Sequence, residues 1–207
     1  KSKVLKKLKV DLMSMSAHKL HGPKGIGCIY INFETMKNKI NPITFGGEQE
    51  RGLRPGTLAT HNIIGFGEAC NIANDEIDKD YDWIKSLKDI FIEKIILGCD
   101  DVIINGCLNE RIPGNLNITF KGLNQQSLIP YLKKVAVSSG SACTTSNPTP
   151  SHVLSALGIK KSLIASTIRI GIGKFNTIKE IELASEYIIN VVNKLKIIAR
   201  GVVLFLK

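Results

Sequence analysis

Two nucleophiles stand out by the company they keep. Lys19 follows Ser16-Ala17-His18 and precedes the glycine-rich turn Gly22-Pro23-Lys24-Gly25-Ile26-Gly27. A lysine just past a strand end, beside a hydroxyl and an imidazole, suits Schiff-base chemistry. Nearby cationic groups lower the amine pKa, and Ser and His can hold a phosphate. Taken alone, the string fits a surface lysine beside a turn better. Lys24 competes in the same loop but has neither Ser nor His beside it. The second nucleophile is Cys143, in Ser138-Ser139-Gly140-Ser141-Ala142-Cys143-Thr144-Thr145. A thiol on a run of small residues can reach a substrate and then swing to an acceptor, provided it is exposed and has thiolate character. The other four cysteines fit packing roles better. Cys28 lies in an apolar strand pattern, Cys70 on a helix pattern, and Cys99 and Cys107 beside a turn and a strand.

Two further strings could bind anions. Thr167-Ile168-Arg169-Ile170-Gly171 puts an arginine inside a strand-like apolar run. A buried guanidinium must be paired, and a substrate carboxylate would supply a bidentate partner. An edge-strand arginine facing solvent fits the string equally well. Arg51-Gly52-Leu53-Arg54-Pro55-Gly56-Thr57 offers backbone amides, two cations and a hydroxyl, which suits a phosphate. It is not a Walker loop, which needs Gly-x-x-x-x-Gly-Lys-Ser/Thr.

The elements that must position these groups follow from hydrophobic periodicity. Val10 to Ser16 predicts a strand ending just before Lys19, and Gly25 to Asn32 a buried strand. Helices are predicted over about His61 to Asn74 and Asp78 to Leu97, the second with Trp83, Ile84, Leu87, Ile90, Phe91, Lys94 and Ile95 marking its faces. Beyond Gly98 the pattern is α/β. Val102 to Asn105, Asn115 to Phe120, Val135 to Ser138 and Ser166 to Gly171 predict strands. Ser127 to Lys134 predicts a short helix that starts late or kinks at Pro130. Ser151 to Leu157 predicts a helix stopped by Gly158. The last helix opens on the capping box Thr177-x-x-Glu180 and carries Ile181, Ala184, Ile188, Val191, Val192 and Leu195 on one stripe, with a packed or frayed tail after it.

Composition narrows the class. The chain has 207 residues, 43% hydrophobic and 22% charged, a globular balance that needs no disulfides to hold a core. Its 28 basic and 18 acidic residues leave a net charge of +10. The lysines are scattered and mixed with acids, so no nucleic-acid partner is expected. No segment approaches the ~20 apolar residues of a membrane span. The basic start has no apolar core of a secretory signal. Five cysteines without a C-x-x-C pair fit reduced thiols. The chain lacks an initiator Met, and its first half has two strands at most, so a fragment of a larger α/β layer is expected.

Together and in this order, VDLMSMSAHKLHGPKGIG, GGEQERGLRPGT, SSGSACT and STIRIGIG resemble the cysteine desulfurases of the IscS/NifS type, over about Val10 to Leu195. The resemblance implies an aspartate-aminotransferase-like α/β fold, PLP fold type I. Residues 1–75 would end the large cofactor-binding domain, and residues 76–207 would form the small C-terminal domain with the cysteine loop. It implies pyridoxal 5'-phosphate held by Lys19 as a Schiff base, with Ser16 and His18 on its phosphate. Thr57 would reach the cofactor phosphate across the interface of a homodimer. Arg169 would hold the carboxylate of L-cysteine. Cys143 would take the substrate sulfur as a persulfide, leaving L-alanine, and pass it to an iron–sulfur scaffold protein or another sulfur acceptor. Cys143 could also serve as a transient iron–sulfur ligand shared with that scaffold. Relatives of this kind run to about twice this length, so the N-terminal half of the cofactor site is expected elsewhere. A non-catalytic module for dimerisation or partner binding, or a selenocysteine lyase, is the alternative. The expected location is the bacterial cytoplasm or the matrix of a mitochondrion-type organelle.

Overall fold

The computed structural model describes residues 5, 7–36, 39–139 and 151–205. The chain divides into two units, Lys1–Ile77 and Asp78–Lys207.

In the first unit, β1 (Leu12–Ser16) pairs antiparallel with β2 (Gly27–Ile31), from Leu12 opposite Ile31 to Ser16 opposite Gly27. Gly27 is required there, because a Cβ on it would sit 2.5 Å from the Met15 carbonyl oxygen. The turn between the strands contains His21 (φ 61°) and Gly25 (φ 84°), both left-handed. Contrary to the sequence reading, β2 is not buried. Ile29 is 58% exposed, and Cys28 is exposed with it. An apolar run of strand length fixes the strand but not what covers its faces. After β2 come a short helix, α1 (Phe33–Met36), and the loop holding the two arginines.

Helix α2 is one continuous element, Thr60–Gly98, where two helices were expected. The expected break fell between Asn74 and Asp78, where Asp75 and Glu76 stand. They are tolerated within a helix, and no Pro or Gly stands among them to break it. The helix passes from the first unit into the second.

In the second unit, β3 (Val102–Ile104), β4 (Asn115–Phe120) and β5 (Thr167–Gly171) form an antiparallel sheet in the order β3-β4-β5. Alternation along β4 sends Leu116, Ile118 and Phe120 to one face and Asn115, Asn117 and Thr119 to the other. The apolar face meets Leu87, Phe91 and Ile95 of α2, spaced four apart on one helical stripe. It shares the core with Ile181, Ile188, Val192 and Leu195 of α6 (Ile178–Phe205). Each such side chain, fully buried, contributes about 1.5–3 kcal/mol. Trp83, one of the residues that mark the faces of this helix, is 37% exposed.

Local signals set the remaining elements. Asn124 caps α3 (Gln125–Leu128), its side chain accepting from the Gln126 N–H at 2.9 Å. At Ile129–Tyr131 the chain tightens to a 3-10 turn with Pro130 in its first positions, where the missing N–H costs nothing. Ser151 caps α4 (His152–Ala156), and Gly158 (φ 75°) follows it. A short α5 (Lys161–Ile164) leads into β5. The capping box of α6 forms as expected. The Thr177 N–H donates to the Glu180 carboxylate at 2.8 Å, and the Glu180 N–H donates to the Thr177 hydroxyl at 3.2 Å. α6 runs on through the expected tail to Phe205. It also closes the end of α2: Asn193 Nδ2 donates to the Gly98 carbonyl at 3.0 Å, and Lys196 Nζ donates to the Asp100 carbonyl. This explains a buried lysine that the periodicity did not foresee.

Candidate active site

Lys19 sits in a 3-10 turn, Ala17–Leu20, that begins where β1 ends. Ser16 occupies the N-cap position, but its hydroxyl makes no cap hydrogen bond, so it stays available to a ligand. His18 and Lys19 are exposed, and among the described residues nothing pairs with the Lys19 ammonium. Small residues press this turn against α2. Ala17 is fully buried, and a Cβ on Gly22 would lie 3.1 Å from the Cβ atoms of Ala17 and Ala69. A Cβ on Gly65 would lie 2.7 Å from Pro23 Cγ. The backbone around Lys19 is therefore seated while its amine stays free. The competitor Lys24 is exposed in the following turn.

The loop with two arginines is stitched to itself. Arg54 donates through Nη1 to the carbonyls of Gly56 (2.9 Å) and Thr57 (3.3 Å), and the Gly56 N–H donates to Gln49 Oε1 at 3.0 Å. Arg51 lies over the Phe33 ring at 4.8 Å. Glu50 and Arg51 hold left-handed φ of 51° and 59°, a strain that non-glycine residues sustain only where their surroundings enforce it. Both cations are thus engaged within the unit. The exposed Thr57 hydroxyl is the group this loop offers a ligand.

The Lys19 turn offers an amine with no partner among the described residues, a hydroxyl spared from capping and an exposed imidazole, group types that fit a phosphate-bearing aldehyde such as pyridoxal phosphate.

In the second unit, Arg169 is exposed on β5, with buried neighbours on both sides along the strand. Its own backbone N–H and C=O bond Ser138 across an isolated bridge, and β4 flanks it on the other edge, with Asn117 opposite. The strand expected at Val135 to Ser138 is present only as that bridge. The guanidinium has no ion pair among the described residues. Cys143 and residues 140–150 lie outside the described residues, so the persulfide and cluster-ligand assignments to Cys143 lie outside them too. Among the described residues there is no group of three or more His, Cys, Asp or Glu able to hold a metal, and no helix is long and apolar enough to cross a membrane.

The described thiols differ in character. Cys107 is exposed, and the backbone N–H groups of Glu110 and Asn109, with Arg111 nearby, hold its pKa below the ordinary thiol value. Burial pushes the Cys99 thiol up to about 11. Two polar residues on the sheet, Asn105 and Asn117, were passed over in the sequence. The period-2 alternation of β4 puts Asn117 on the polar face of that strand, and only the register with β5 puts it opposite Arg169.

The aminotransferase class-V family profile matches residues 3–183. The mitochondrial cysteine desulfurase of Arabidopsis thaliana is 46% identical over 192 residues, which cover 93% of this chain and 42% of that protein. Cysteine desulfurase IscS of Neisseria meningitidis is 46% identical over 188 residues, 91% of this chain and 46% of that one. Among solved structures, a NifS-like protein superposes with a TM-score of 0.77 at 32% identity, covering 91% of this chain and 48% of its own. A NifS-like protein from Rickettsia africae gives 0.75 at 30% identity, with 91% and 49% covered. The chain spans about half the length of the curated relatives it matches.

Proposed function

The chain belongs to the class-V aminotransferase family, with its PLP type I fold, and from that premise we propose that its residues carry the lysine and cysteine chemistry of a cysteine desulfurase. The observation that carries this reading is Lys19: an amine with no partner among the described residues, seated by Ala17, Gly22 and Pro23 and flanked by the spare hydroxyl of Ser16 and the ring of His18. The family premise and the 46% identity to desulfurases support it.

In this reading the first unit is the end of the cofactor domain and the second the smaller domain with the cysteine loop. Lys19 holds pyridoxal phosphate, Ser16 and His18 bind its phosphate, and Thr57 reaches the phosphate of the partner subunit in a homodimer. When bound, the cofactor supplies an electron sink for the pair left as the substrate Cα–H bond breaks. Lys19, an amine once substrate has taken its place, carries that proton. Arg169 holds the carboxylate of L-cysteine through charge-assisted hydrogen bonds. The Cys143 thiolate attacks the substrate sulfur. The S–Cβ bond breaks, its electron pair stays with the carbon fragment that becomes L-alanine, and the sulfur remains on Cys143 as a persulfide. An iron–sulfur scaffold or another acceptor then takes that sulfur. The relatives' names place such proteins in bacteria and in mitochondria, and the same compartments are proposed here.

The test is covalent trapping. The chain is mixed with pyridoxal phosphate, reduced with borohydride and mapped by mass spectrometry, with Lys19→Ala as the control. A reduced adduct on Lys19, absent in the variant, is expected. An adduct on Lys24, or on no lysine, overturns the assignment.

A further inference from the structure

Two thiols of the first unit stand on elements that pack against each other. Cys28 lies in β2 and Cys70 in α2, and both are exposed. Register places the first. Cys28 is opposite Met15, and Tyr30 is opposite Met13. The Ala17 N–H extends the ladder by one rung, donating to the Ile26 carbonyl at 3.1 Å. Side chains alternate along a strand, and opposed residues share a face. Met13, Met15, Ala17, Cys28 and Tyr30 therefore occupy one face of the hairpin. Leu12, Ser14 and Ile29 occupy the other, and all three are exposed.

The first face is the one that meets α2. Ala17 is fully buried on it, and a Cβ on Gly22 would lie 3.1 Å from the Cβ atoms of both Ala17 and Ala69. On α2 the covered stripe is Phe66 and Ala69, both buried, with Ala73 half-buried beyond them. Cys70 is four residues after Phe66 and three before Ala73, so it borders that stripe. Gly65 borders its other side, against Pro23. Cys28 thus belongs to the hairpin face turned to α2, and Cys70 to the rim of the helix stripe turned to the hairpin. The thiols also act on each other. Burial raises the Cys28 pKa first, and the charge on Cys70 raises it further. Exposed charges are largely screened beyond about 10 Å, so such an effect requires neighbours.

We infer that Cys28 and Cys70 are a redox pair that closes to a disulfide between β2 and α2, with a small-molecule disulfide of the glutathione type as oxidant. One protein thiolate attacks a sulfur of the small disulfide, whose S–S bond breaks and releases one thiol. The second protein thiolate then attacks the mixed disulfide at the protein sulfur and releases the other thiol. Two protein thiols are oxidised, the small disulfide is reduced to two thiols, and both protons pass to those thiols. The new bond also removes the repulsion between the two thiolates. It closes the segment that carries Arg51, Arg54 and Thr57 into a loop, which restricts the unfolded chain and stabilises the folded one.

The test uses the purified chain at low concentration in mixtures of oxidised and reduced glutathione. Free thiols are capped with N-ethylmaleimide, and the protein is mapped by mass spectrometry without reduction. Wild type, Cys28→Ser and Cys70→Ser are compared. A peptide pair linked through Cys28 and Cys70 is expected in the wild type, with the intact mass lower by two hydrogens. In each variant the remaining thiol of the pair carries glutathione instead. Oxidised wild type should unfold at a higher urea midpoint than reduced wild type, and neither variant should show that rise. Glutathione on both thiols of the wild type without a link overturns the inference. So does a link from either residue to Cys99, Cys107 or Cys143, or a link between two chains. A link that lowers the midpoint overturns it too, because the folded elements would then not accommodate the bond. The wild-type map and midpoint decide the matter by themselves should a variant fail to fold.

Discussion

Ser138 and Arg169 lock to each other through two backbone hydrogen bonds, Arg169 N–H to Ser138 O at 2.7 Å and Ser138 N–H to Arg169 O at 3.1 Å. The residue assigned to the substrate carboxylate is thus tied to the first residue of the small-residue run that leads to Cys143. Arg169, proposed to bind the carboxylate, and Ser138, which precedes the proposed cysteine loop, share one ladder rung.

That rung is testable through one hydrogen. Ser138→Pro removes the donated N–H and leaves the Arg169 carbonyl short of a partner, a loss of about 1–3 kcal/mol. The denaturation midpoint should fall, and L-alanine affinity and persulfide formation should fall with it. Ser138→Ala keeps both backbone bonds and should stay within about 0.5 kcal/mol of wild type with both activities intact. Equal behaviour of the two variants in urea titration and persulfide labelling would show that the rung couples nothing.

The thiols give a prediction in pH. Cys107 has its thiolate favoured by the N–H groups of Glu110 and Asn109, while burial and then Cys70 raise Cys28, and burial takes Cys99 to about 11. Only the thiolate alkylates, so near pH 7.5 a short iodoacetamide pulse should label Cys107 first, Cys28 more slowly and Cys99 last. Because Cys99 is raised in the folded state, its neutral form contributes stability that is fully present below the ordinary thiol pKa. That contribution is lost as pH climbs from about 9 towards 11. Peptide mapping that finds Cys99 labelled as fast as Cys107 contradicts the packing described for it.

Replacing Cys143 separates the two halves of the proposed chemistry. Cys143→Ala should keep the borohydride-trapped adduct on Lys19 at wild-type yield and lose the protein persulfide detected by mass spectrometry. Loss of the adduct together with the persulfide would mean that Cys143 supports the fold or the cofactor rather than accepting sulfur.

What the sequence reveals follows from how local each signal is. Thr177 and Glu180 satisfy each other three residues apart, so the cap is legible in the string. The alternation of β4 and the 3-10 turn at Pro130 are equally local. The break expected between Asn74 and Asp78 was not there, because α2 contains no proline to remove a backbone bond and its acids are tolerated in a helix. The burial of β2 was misjudged because an apolar run says nothing about what lies against it. Lys19 stood out as a candidate by its neighbours in sequence. Asn117 did not, since its place beside Arg169 depends on a register between strands about fifty residues apart.

Two glycines on α2 set competing effects against each other. Gly→Ala inside a helix gains about 1 kcal/mol in propensity where the new methyl meets nothing. At Gly67 nothing lies within 4 Å of the added Cβ, so Gly67→Ala should stabilise by about that amount. At Gly65 the Cβ would lie 2.7 Å from Pro23 Cγ and 3.2 Å from Pro23 Cδ, both in a rigid ring that cannot swing aside. Overpacking of that kind costs about 1–3 kcal/mol, which cancels or exceeds the propensity gain. The strain falls on the loop that seats the Lys19 turn. Gly65→Ala should therefore show no gain in denaturation midpoint and a reduced yield of cofactor trapped on Lys19, while Gly67→Ala gains in midpoint and keeps that yield. Equal stabilisation by both, with trapping unchanged, would mean that Pro23 does not press on α2 and that the turn is seated by other contacts.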